Sequence, residues 1–366
     1  MKNFTLLPDM PAPIVARGIV GWFRKNLFST PWNSVLSVIV IYVLYSLLVP
    51  VLDWAIFSAV FTGADKSACE GTDGACWAFI GNRLDIFIYG SYPAEEYWRL
   101  KICFALLLLS FGPQFFDKFP YKMPVGVFSL TAFPVICYFL ISGGSFGLVD
   151  VEPERWGGMA LTLMLAYVGI VAALPIGVVL ALGRRSEMPV IRTFCIGFIE
   201  MWRGVPLISV LFMSSVMLPL FLPDGMNFDK LLRALIGITM FQSAYMAEVI
   251  RGGLQAIPRG QYEAAKALGL SYWKSMGLII LPQALKLVIP GIVNTFIALF
   301  KDTTLVLIIG LLDILATVQA AITDPAWGAV GTEGYVFAAA CFWVFCFSMS
   351  RYSQHLEQKL HRGHKR

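Results

Sequence analysis

Long apolar runs, separated by shorter polar segments, dominate this chain. A bilayer core about 30 Å thick needs about 20 helical residues to cross it, and runs of that order recur along the sequence. We identify about eight such runs. They lie at residues 36–61, 102–116, 124–142, 157–182, 194–222, 234–250, 284–309 and 336–350. The pattern predicts an all-α, polytopic membrane protein.

The distribution of charge orients these predicted spans. The chain contains 58% hydrophobic residues, and its 28 Lys and Arg exceed its 23 Asp and Glu only slightly, which does not indicate nucleic-acid binding. With the amino terminus placed inside, most of the basic residues fall on that side. Cytoplasmic segments of membrane proteins are enriched in Lys and Arg. Both termini, and the polar loop from residue 251 to residue 286, are therefore predicted to be cytoplasmic.

This loop belongs to the longest polar interruption in the second half of the chain, residues 248–282. Pro258 suits the first position of a helix, where its missing N–H costs nothing. Gly269 suits a helix end because it tolerates positive φ, and Ser271 is a favourable N-cap for a second helix. The local signals predict two short helices. Small residues that permit close docking lie between Pro258 and Gly269: Ala264, Ala265 and Ala267.

The spacing within this loop is specific. Glu263-Ala264-Ala265 is followed after three residues by Gly269 and after nine more by Ile279-Ile280-Leu281-Pro282. This pattern resembles the EAA motif of the membrane subunits of ABC importers. The resemblance implies a coupling helix, within about residues 251–282, that inserts into a groove on a cytosolic ATPase. The coupling residues that it implies are Glu263, Ala264, Ala265, Gly269 and Pro282.

A wider stretch, residues 156–352, resembles the five-span permease core of the polar-amino-acid branch of these importers. FIEMWRGVPL at 198–207 corresponds to a motif of that branch. Residues 1–155 form an extension with about three further spans. This extension resembles the larger subunits of general L-amino-acid and glutamate/glutamine/aspartate/asparagine systems. Residues 353–366 form a basic tail.

The resemblance implies a type I ABC importer permease that carries polar L-amino acids, with Glu, Gln, Asp, Asn and His as candidates. Its implied partners are two copies of an ATPase, an extracytoplasmic binding protein, a second homologous permease, favoured as a different chain, and membrane lipid. ATP and Mg would bind the ATPase, and no cofactor is expected in this chain, which lacks GxxxxGK[ST]. The alternative is a secondary amino-acid transporter driven by an ion gradient, although the inverted repeats that would support it are not visible.

An enzymatic function is not favoured by the sequence. Residues 143–147 match GxSxG, but that motif requires a strand-to-helix turn with His and acid partners. All histidines lie in the tail, across the membrane from this loop. No Cys/His spacing indicates a metal site. Cys69 and Cys76 share a predicted extracytoplasmic loop, where either a disulfide or two free thiols would be compatible with the compartment.

Charged residues inside predicted spans are costly and normally face a partner or water. Glu200 and Arg203 are spaced i,i+3 near the inner surface, so the spacing predicts a structural or gating pair. Glu248 and Arg251 repeat this spacing. The segment 14–28 combines apolar and basic residues, which suits an interfacial helix or a simple flank of the first span.

The segment 294–304, NTFIALFKDTT, places adjacent opposite charges within an apolar region. Adjacent helical residues point about 100° apart, so an interrupted helix explains the pair better than mutual pairing. We expect Asp302, Thr303 and Asn294 to line the substrate path, with Lys301 countering Asp302 or a substrate carboxylate. A polar cluster that holds the spans together is the alternative. Gln242 and Ser243 could likewise meet substrate or bond a neighbouring helix.

Overall fold

The computed structural model describes residues 18–116, 119–221, 223, 228–328 and 330–361, and these residues form helices and loops without any β-strand. The chain divides between Phe79 and Ile80 into two compact units. The division expected from the sequence, after residue 155, marks where the permease resemblance begins and stays a prediction.

The first unit contains a long apolar helix. Helix α1 (Gly18–Asn26) precedes α2 (Pro31–Leu52), which continues as a π-helical turn over Asp53–Phe57. Thr30 caps α2, because its side chain accepts the Asn33 N–H at 3.2 Å. This cap explains why the span begins at Pro31 rather than at the predicted residue 36. Of the predicted segment 14–28, residues 14–17 lie outside the described residues.

The loop after α2 is closed by a disulfide between Cys69 and Cys76, whose Cα atoms are 5.8 Å apart. Two further bonds organise this unit. The Val60 N–H donates to the Ala75 carbonyl at 2.8 Å, and the Trp77 indole donates to the Ala55 carbonyl at 2.7 Å. The disulfide alternative is thus the one that the structure adopts.

The second unit begins within α3 and contains the remaining helices. They are α3 (Trp77–Tyr89), α4 (Tyr97–Phe115), α5 (Lys122–Leu130), α6 (Ala132–Ser142), α7 (Gly158–Arg184), α8 (Pro189–Gly204), α9 (Leu207–Phe212), α10 (Lys230–Ala256), α11 (Arg259–Ala267), α12 (Tyr272–Ser275), α13 (Leu281–Leu287), α14 (Ile289–Asp302), α15 (Ile314–Ala321) and α16 (Gly331–His361).

Two clusters of buried apolar side chains hold the described part of this unit together. One joins the first halves of α7 and α10 to α4, α6 and α9, with Leu165, Leu211 and Ile238 inaccessible to solvent. The other joins the later halves of α7 and α10 to α8 and the segment before α13, around Met246 and Ile280. Helix α10 therefore lies at the centre of this unit.

Among the described residues, four helices are long and apolar enough to cross a membrane: Pro31–Phe57, Gly158–Arg184, Ile289–Ile309 and Gly331–Lys359. The number rises to six if each of two bent helix pairs is one span. The predicted spans 102–116 and 234–250 correspond to α4 and α10, which have 19 and 27 residues but are not in this set. The all-α membrane fold is confirmed, whereas the count of about eight spans is not.

The predicted span 194–222 is not one straight helix. Helix α8 and the helical segment Leu207–Phe221 meet at 104°. Val205 between them is extended, with φ −112° and ψ 136°. Pro206 disfavours helical geometry at the preceding residue, so the break follows from the local sequence. The sharp break of this unit therefore lies at 204–206, which our prediction for 194–222 missed.

The interruption predicted within 294–304 takes a milder form. Helix α14 ends at Asp302 and continues directly as a 3-10 helix over Thr303–Ile309, and the two together form one candidate span of 21 residues. The 3-10 helix has fewer residues per turn, which changes the direction of side chains without separating two half-helices. The α-helix therefore ends where the interruption was predicted, but the two parts remain one continuous span.

Candidate functional site

The loop after α10 folds as the sequence predicts, into two short helices. Pro258 is the N-cap of α11 rather than its first helical residue, so the helix begins one residue later than predicted. Helix α11 ends at Ala267. Gly269 has φ +70°, a left-handed conformation that favours glycine. Ser271 is the N-cap residue of α12, although its side chain makes no capping hydrogen bond. The backbone thus turns sharply at Gly269.

Helix α11 has a buried and an exposed side. Ala265 is fully buried, whereas Glu263 and Ala264 are exposed and Leu268 is 74% exposed. The buried side packs on the π-helical segment Met276–Ile280, and Gln283 Nε2 donates to Gln261 Oε1 at 3.2 Å. The EAA residues are therefore divided: Ala265 anchors the helix, while Glu263 and Ala264 face outward.

The exposed side of the loop continues beyond α11. Tyr272 and Trp273 on α12 are exposed, and so is Pro282, which lies in the first turn of α13. Large apolar side chains exposed in a contiguous stretch of polar loop are typical of protein interaction surfaces. The arrangement can therefore dock a partner protein.

Beside α11, an ion cluster joins the ends of α7, α8 and α10. Arg184 Nη1 donates to Glu200 Oε1 at 2.9 Å and to Glu248 Oε1 at 2.8 Å. Arg251 Nη2 donates to Glu248 Oε2 at 2.8 Å, which confirms the predicted Glu248–Arg251 pairing. Glu248 is thus the central carboxylate, with its side chain only 15% exposed.

The predicted Glu200–Arg203 pair is wrong. Glu200 pairs with Arg184, and Arg203 Nη1 lies 3.8 Å from Glu248 Oε2. Both residues therefore form contacts between helices rather than within α8. The prediction missed Arg184 because it considered only pairs spaced i,i+3. The available signal was that Arg184 ends a long apolar helix, where a cation is stabilised by the helix dipole.

A second contact links α11 to this cluster. Arg185 Nη1 donates to the Leu254 carbonyl and to the Tyr262 hydroxyl oxygen, both at 3.0 Å, and Tyr262 Oη donates to the same carbonyl at 3.1 Å. The Arg185 guanidinium lies 5.5 Å from the Tyr262 ring centroid. A displacement of α11 would therefore reach the ends of α7 and α10.

The polar residues predicted in the substrate path fall into two groups. Gln242, Ser243 and Thr303 are buried. Gln242 Nε2 donates to the Thr295 carbonyl at 2.7 Å, and the two hydroxyls donate to carbonyls of their own helices. These side chains are occupied by structural hydrogen bonds.

The second group is accessible. Asn294 and Lys301 are exposed and Asp302 is partly exposed. Lys301 and Asp302 do not come within ion-pair distance of each other, in agreement with their adjacent positions on a helix. The structure therefore does not gather all six predicted residues at one surface.

Comparison with known proteins identifies the class of this molecule. A family model described as "Binding-protein-dependent transport system inner membrane component" matches residues 173–362. The chain is 53% identical to the inner membrane amino-acid ABC transporter permease protein YhdY of Escherichia coli (strain K12), over 97% of each chain. It belongs to this family. The resemblance to ABC importer permeases is thereby confirmed, and the chain is a transport component in the form of a multi-pass inner-membrane protein.

Other members of the family separate the extension from the core. The glutamate/glutamine/aspartate/asparagine transport system permease protein BztC of Rhodobacter capsulatus is 39% identical over 98% of each chain. The glutamate/aspartate import permease protein GltK of Escherichia coli O6:H1 is 33% identical over 96% of its own length but only 58% of this chain. The amino-terminal extension is thus shared with the larger permeases.

Solved structures of transporters also align with this permease. A crystal structure of an amino acid ABC transporter with histidines has 30% sequence identity and a TM-score of 0.49, and covers 55% of this chain and 92% of that chain. An inward-facing structure of the MetNI methionine ABC transporter has 21% identity and a TM-score of 0.42, with coverage of 54% and 91%.

Proposed function

We propose that this chain is the permease subunit of an ATP-driven importer of polar L-amino acids, with α11 as the helix that receives a cytosolic ATPase. The observation that carries the proposal is the surface of α11, where Glu263, Ala264 and Leu268 are exposed on a helix anchored by Ala265. The printed names of the full-length relatives, which are amino-acid and glutamate/glutamine/aspartate/asparagine permeases, support the substrate class.

The contacts of α11 give this permease a route for the motion. Closure of two ATPases would draw α11 sideways, and the Arg185–Tyr262 contact would pass that displacement to the ends of α7 and α10. The ion cluster around Glu248 would then shift α8 with them, because Arg184 joins all three helices. Rigid helices connected by such contacts can rock between inward and outward openings. The Glu200 and Arg203 contacts accordingly have a gating role.

The substrate path of the proposal follows α14. Asn294, Ala298 and Lys301 are exposed and spaced four and three residues apart, so they share one helix face. A face with an amide and an ammonium is costly against lipid and suits a water-filled path or a partner subunit. Asp302 and Lys301 together complement the ammonium and carboxylate of an amino acid. Gln242, Ser243 and Thr303 position these helices instead of contacting substrate.

The proposed assembly contains a second homologous permease, favoured as a different chain, with two ATPases at the cytoplasmic side and a binding protein at the opposite side. Both termini are placed in the cytoplasm, because the basic segments of the chain then lie inside.

Reconstitution into proteoliposomes tests the function. The complex purified with its ATPase and binding protein should accumulate polar L-amino acids when ATP is present and continue when ionophores abolish ion gradients. Uptake that depends on a gradient and not on ATP would support the secondary-transporter alternative. Asp302→Asn should raise the KM for amino acids, whereas Asp53→Asn, the same chemical change in the first unit, should not. Unchanged KM values across substrates would remove Asp302 from the path.

A further inference from the structure

An open pocket of about 390 Å³ lies where α7 ends, α8 begins and α10 ends. We propose that it is a second ligand site, which binds an acidic amino acid, such as glutamate, from the cytoplasmic side. The inference rests on the proposed function for its substrate class. The residues that line the pocket are Arg184, Arg185, Arg192, Ile196, Arg251 and Gln255.

Four guanidinium groups from three helices converge on this pocket. Guanidinium groups bind carboxylates through paired hydrogen bonds, which gives them both affinity and orientation. Arg184 and Arg251 are fixed in place by Glu248, with donor–acceptor distances of 2.8 Å for each. Each uses only part of its five N–H donors in these bonds. The pocket therefore presents preorganised donors rather than mobile side chains.

The arginines around the pocket outnumber the carboxylates that pair with them. Glu200 and Glu248 are the carboxylates that pair with these arginines. Arg192 is exposed and forms no ion pair with any described residue. Glu187, on the loop between α7 and α8, forms no ion pair with these arginines in the described part of the chain. An added anion is thus favoured electrostatically, and Arg192 is the cation most available to it.

The neighbouring carboxylate favours an amino acid over a phosphate. The Glu200 side chain is 54% exposed, and its bond to Arg184 uses Oε1. Glu200 does not itself line the pocket, but its other oxygen lies beside the lining residue Arg184, where it can attract the ammonium of an amino acid and would repel a phosphate. The pocket volume also falls within the range of about 300–1,000 Å³ that is usual for small-molecule sites.

A lipid headgroup fits less well. The exposed apolar residues Val190, Phe194 and Met201 on α8 form the side that suits acyl chains. Arg192 and Ile196 lie on the opposite side of the same helix, since each residue advances about 100°. Acyl chains packed along the apolar side would therefore direct their phosphates away from the pocket.

A ligand bound in this pocket would also affect helix α11. Arg185 contacts both the pocket and Tyr262 on α11. A carboxylate that binds the remaining N–H donors of Arg185 would be joined through this side chain to Tyr262, so internal acidic amino acids would influence how α11 transmits motion.

Protection from chemical labelling tests the site directly. In the full-length chain, purified with its ATPase in nanodiscs, Ile196→Cys places a thiol on the pocket wall, and L-glutamate should slow its reaction with a neutral maleimide. Gln255→Cys offers a second reporter if the first variant does not fold. Adding Arg192→Gln should raise the half-protecting glutamate concentration about tenfold, as expected for loss of one charge-assisted bond. Arg351→Gln, the same change on exposed α16, should leave it unaltered.

Three results would overturn the proposal: no protection by glutamate, equal protection by inorganic phosphate, or no effect of Arg192→Gln. Labelling does not require transport, so its outcome is separate from that of the proposed function. A chain that imports amino acids but shows no glutamate protection contradicts only the pocket. A chain that shows protection without ATP-driven uptake contradicts only the importer.

Discussion

Helices α2 and α10 show two different ways for a helix to exist in a membrane protein. The span that contains α2 has a mean hydropathy of 2.6, and none of its residues is buried. Helix α10 has 27 residues, thirteen of them buried, and carries Gln242, Ser243, Glu248 and Arg251. The first is recognised by hydropathy alone because it is apolar along its whole length. The second is less apolar because neighbouring helices satisfy its polar groups.

The difference indicates where function resides. Unpaired polar groups are excluded from hydrocarbon, and Gln242 and Glu248 on α10 are satisfied by partners on α14, α7 and α8. In the proposed transport cycle, these are also the contacts that a moving helix would break and remake. Substitutions on α10 and its partners should therefore have larger effects than matched changes on α2.

The largest effect is expected for Glu248→Ala. The change leaves Arg184, Arg203 and Arg251 without their shared carboxylate, and loss of one partner from a largely buried ion cluster costs about 3–5 kcal/mol. Thermal unfolding in detergent measures this loss. Val38→Ala on exposed α2 should cost below about 0.5 kcal/mol. Equal losses in the two variants would remove the distinction between the helices.

The close approach of α7 to α10 gives the next effect. A Cβ at Gly177 would lie 2.8 Å from the Met246 side chain and 3.2 Å from the Ala247 backbone nitrogen. Gly177→Leu should therefore destabilise the permease by about 3 kcal/mol through overpacking. Gly197→Leu on α8, where a Cβ meets no atom within 4 Å, is the matched control. A tolerated leucine at residue 177 would show that the helices are not tightly packed there.

Asp313 extends the comparison to a buried carboxylate outside the spans. Its Oδ1 accepts the Ala316 N–H at 2.9 Å, whereas Oδ2 has no hydrogen-bond partner among the described residues. Burial raises the pKa of Asp313 from 3.8 to about 6. The folded state therefore retains the proton longer than the unfolded state.

Stability should accordingly fall by about 3 kcal/mol as the pH rises through the interval between these two pKa values, and should be constant above it. Asp313→Asn keeps the capping oxygen and cannot ionise, so this pH dependence should disappear. Unfolding midpoints measured across the interval test the prediction. An unchanged slope in the variant would assign it to another group.

The smallest effect concerns Gln242. Gln242→Ala removes the hydrogen bond from α10 to the Thr295 carbonyl and should cost about 1 kcal/mol. Ser46→Ala on α2 removes a hydroxyl that bonds only carbonyls of its own helix, and we expect almost no change. If the alanine at residue 242 alters amino-acid selectivity and not stability, Gln242 contacts substrate after all.

The sequence predicted the conformation of the loop around α11 well because its signals are local. Gly269 and Pro258 act through backbone conformation, which neighbouring helices do not override, and the structure adjusts Pro258 by only one residue. The sequence could not decide whether Cys69 and Cys76 form a disulfide or remain free thiols, because only folding brings the two thiols together.

The tertiary partners could not be predicted in the same way. Glu200 had an available partner at i+3, yet Arg184 from another helix takes that place. The charges at Lys301 and Asp302 predicted the change of helix type at Asp302, whereas the sharper break that Pro206 produces through steric exclusion at Val205 was missed. A long-range contact therefore decided the pairing of Glu200, whereas the break at 204–206 is encoded locally.

The central claim is that the loop around α11 receives an ATPase, and co-purification tests it most directly. Gly269→Leu forces a side chain into a backbone with φ +70°, whereas Gly252→Leu introduces the same side chain on α10 at ordinary φ with no atom within 4 Å. The ATPase should co-purify from membranes with the original chain and with Gly252→Leu. It should not co-purify with Gly269→Leu, although that variant should still insert into the membrane. If no ATPase accompanies the original chain, or if Gly269→Leu retains it fully, the proposed coupling role of this loop is contradicted.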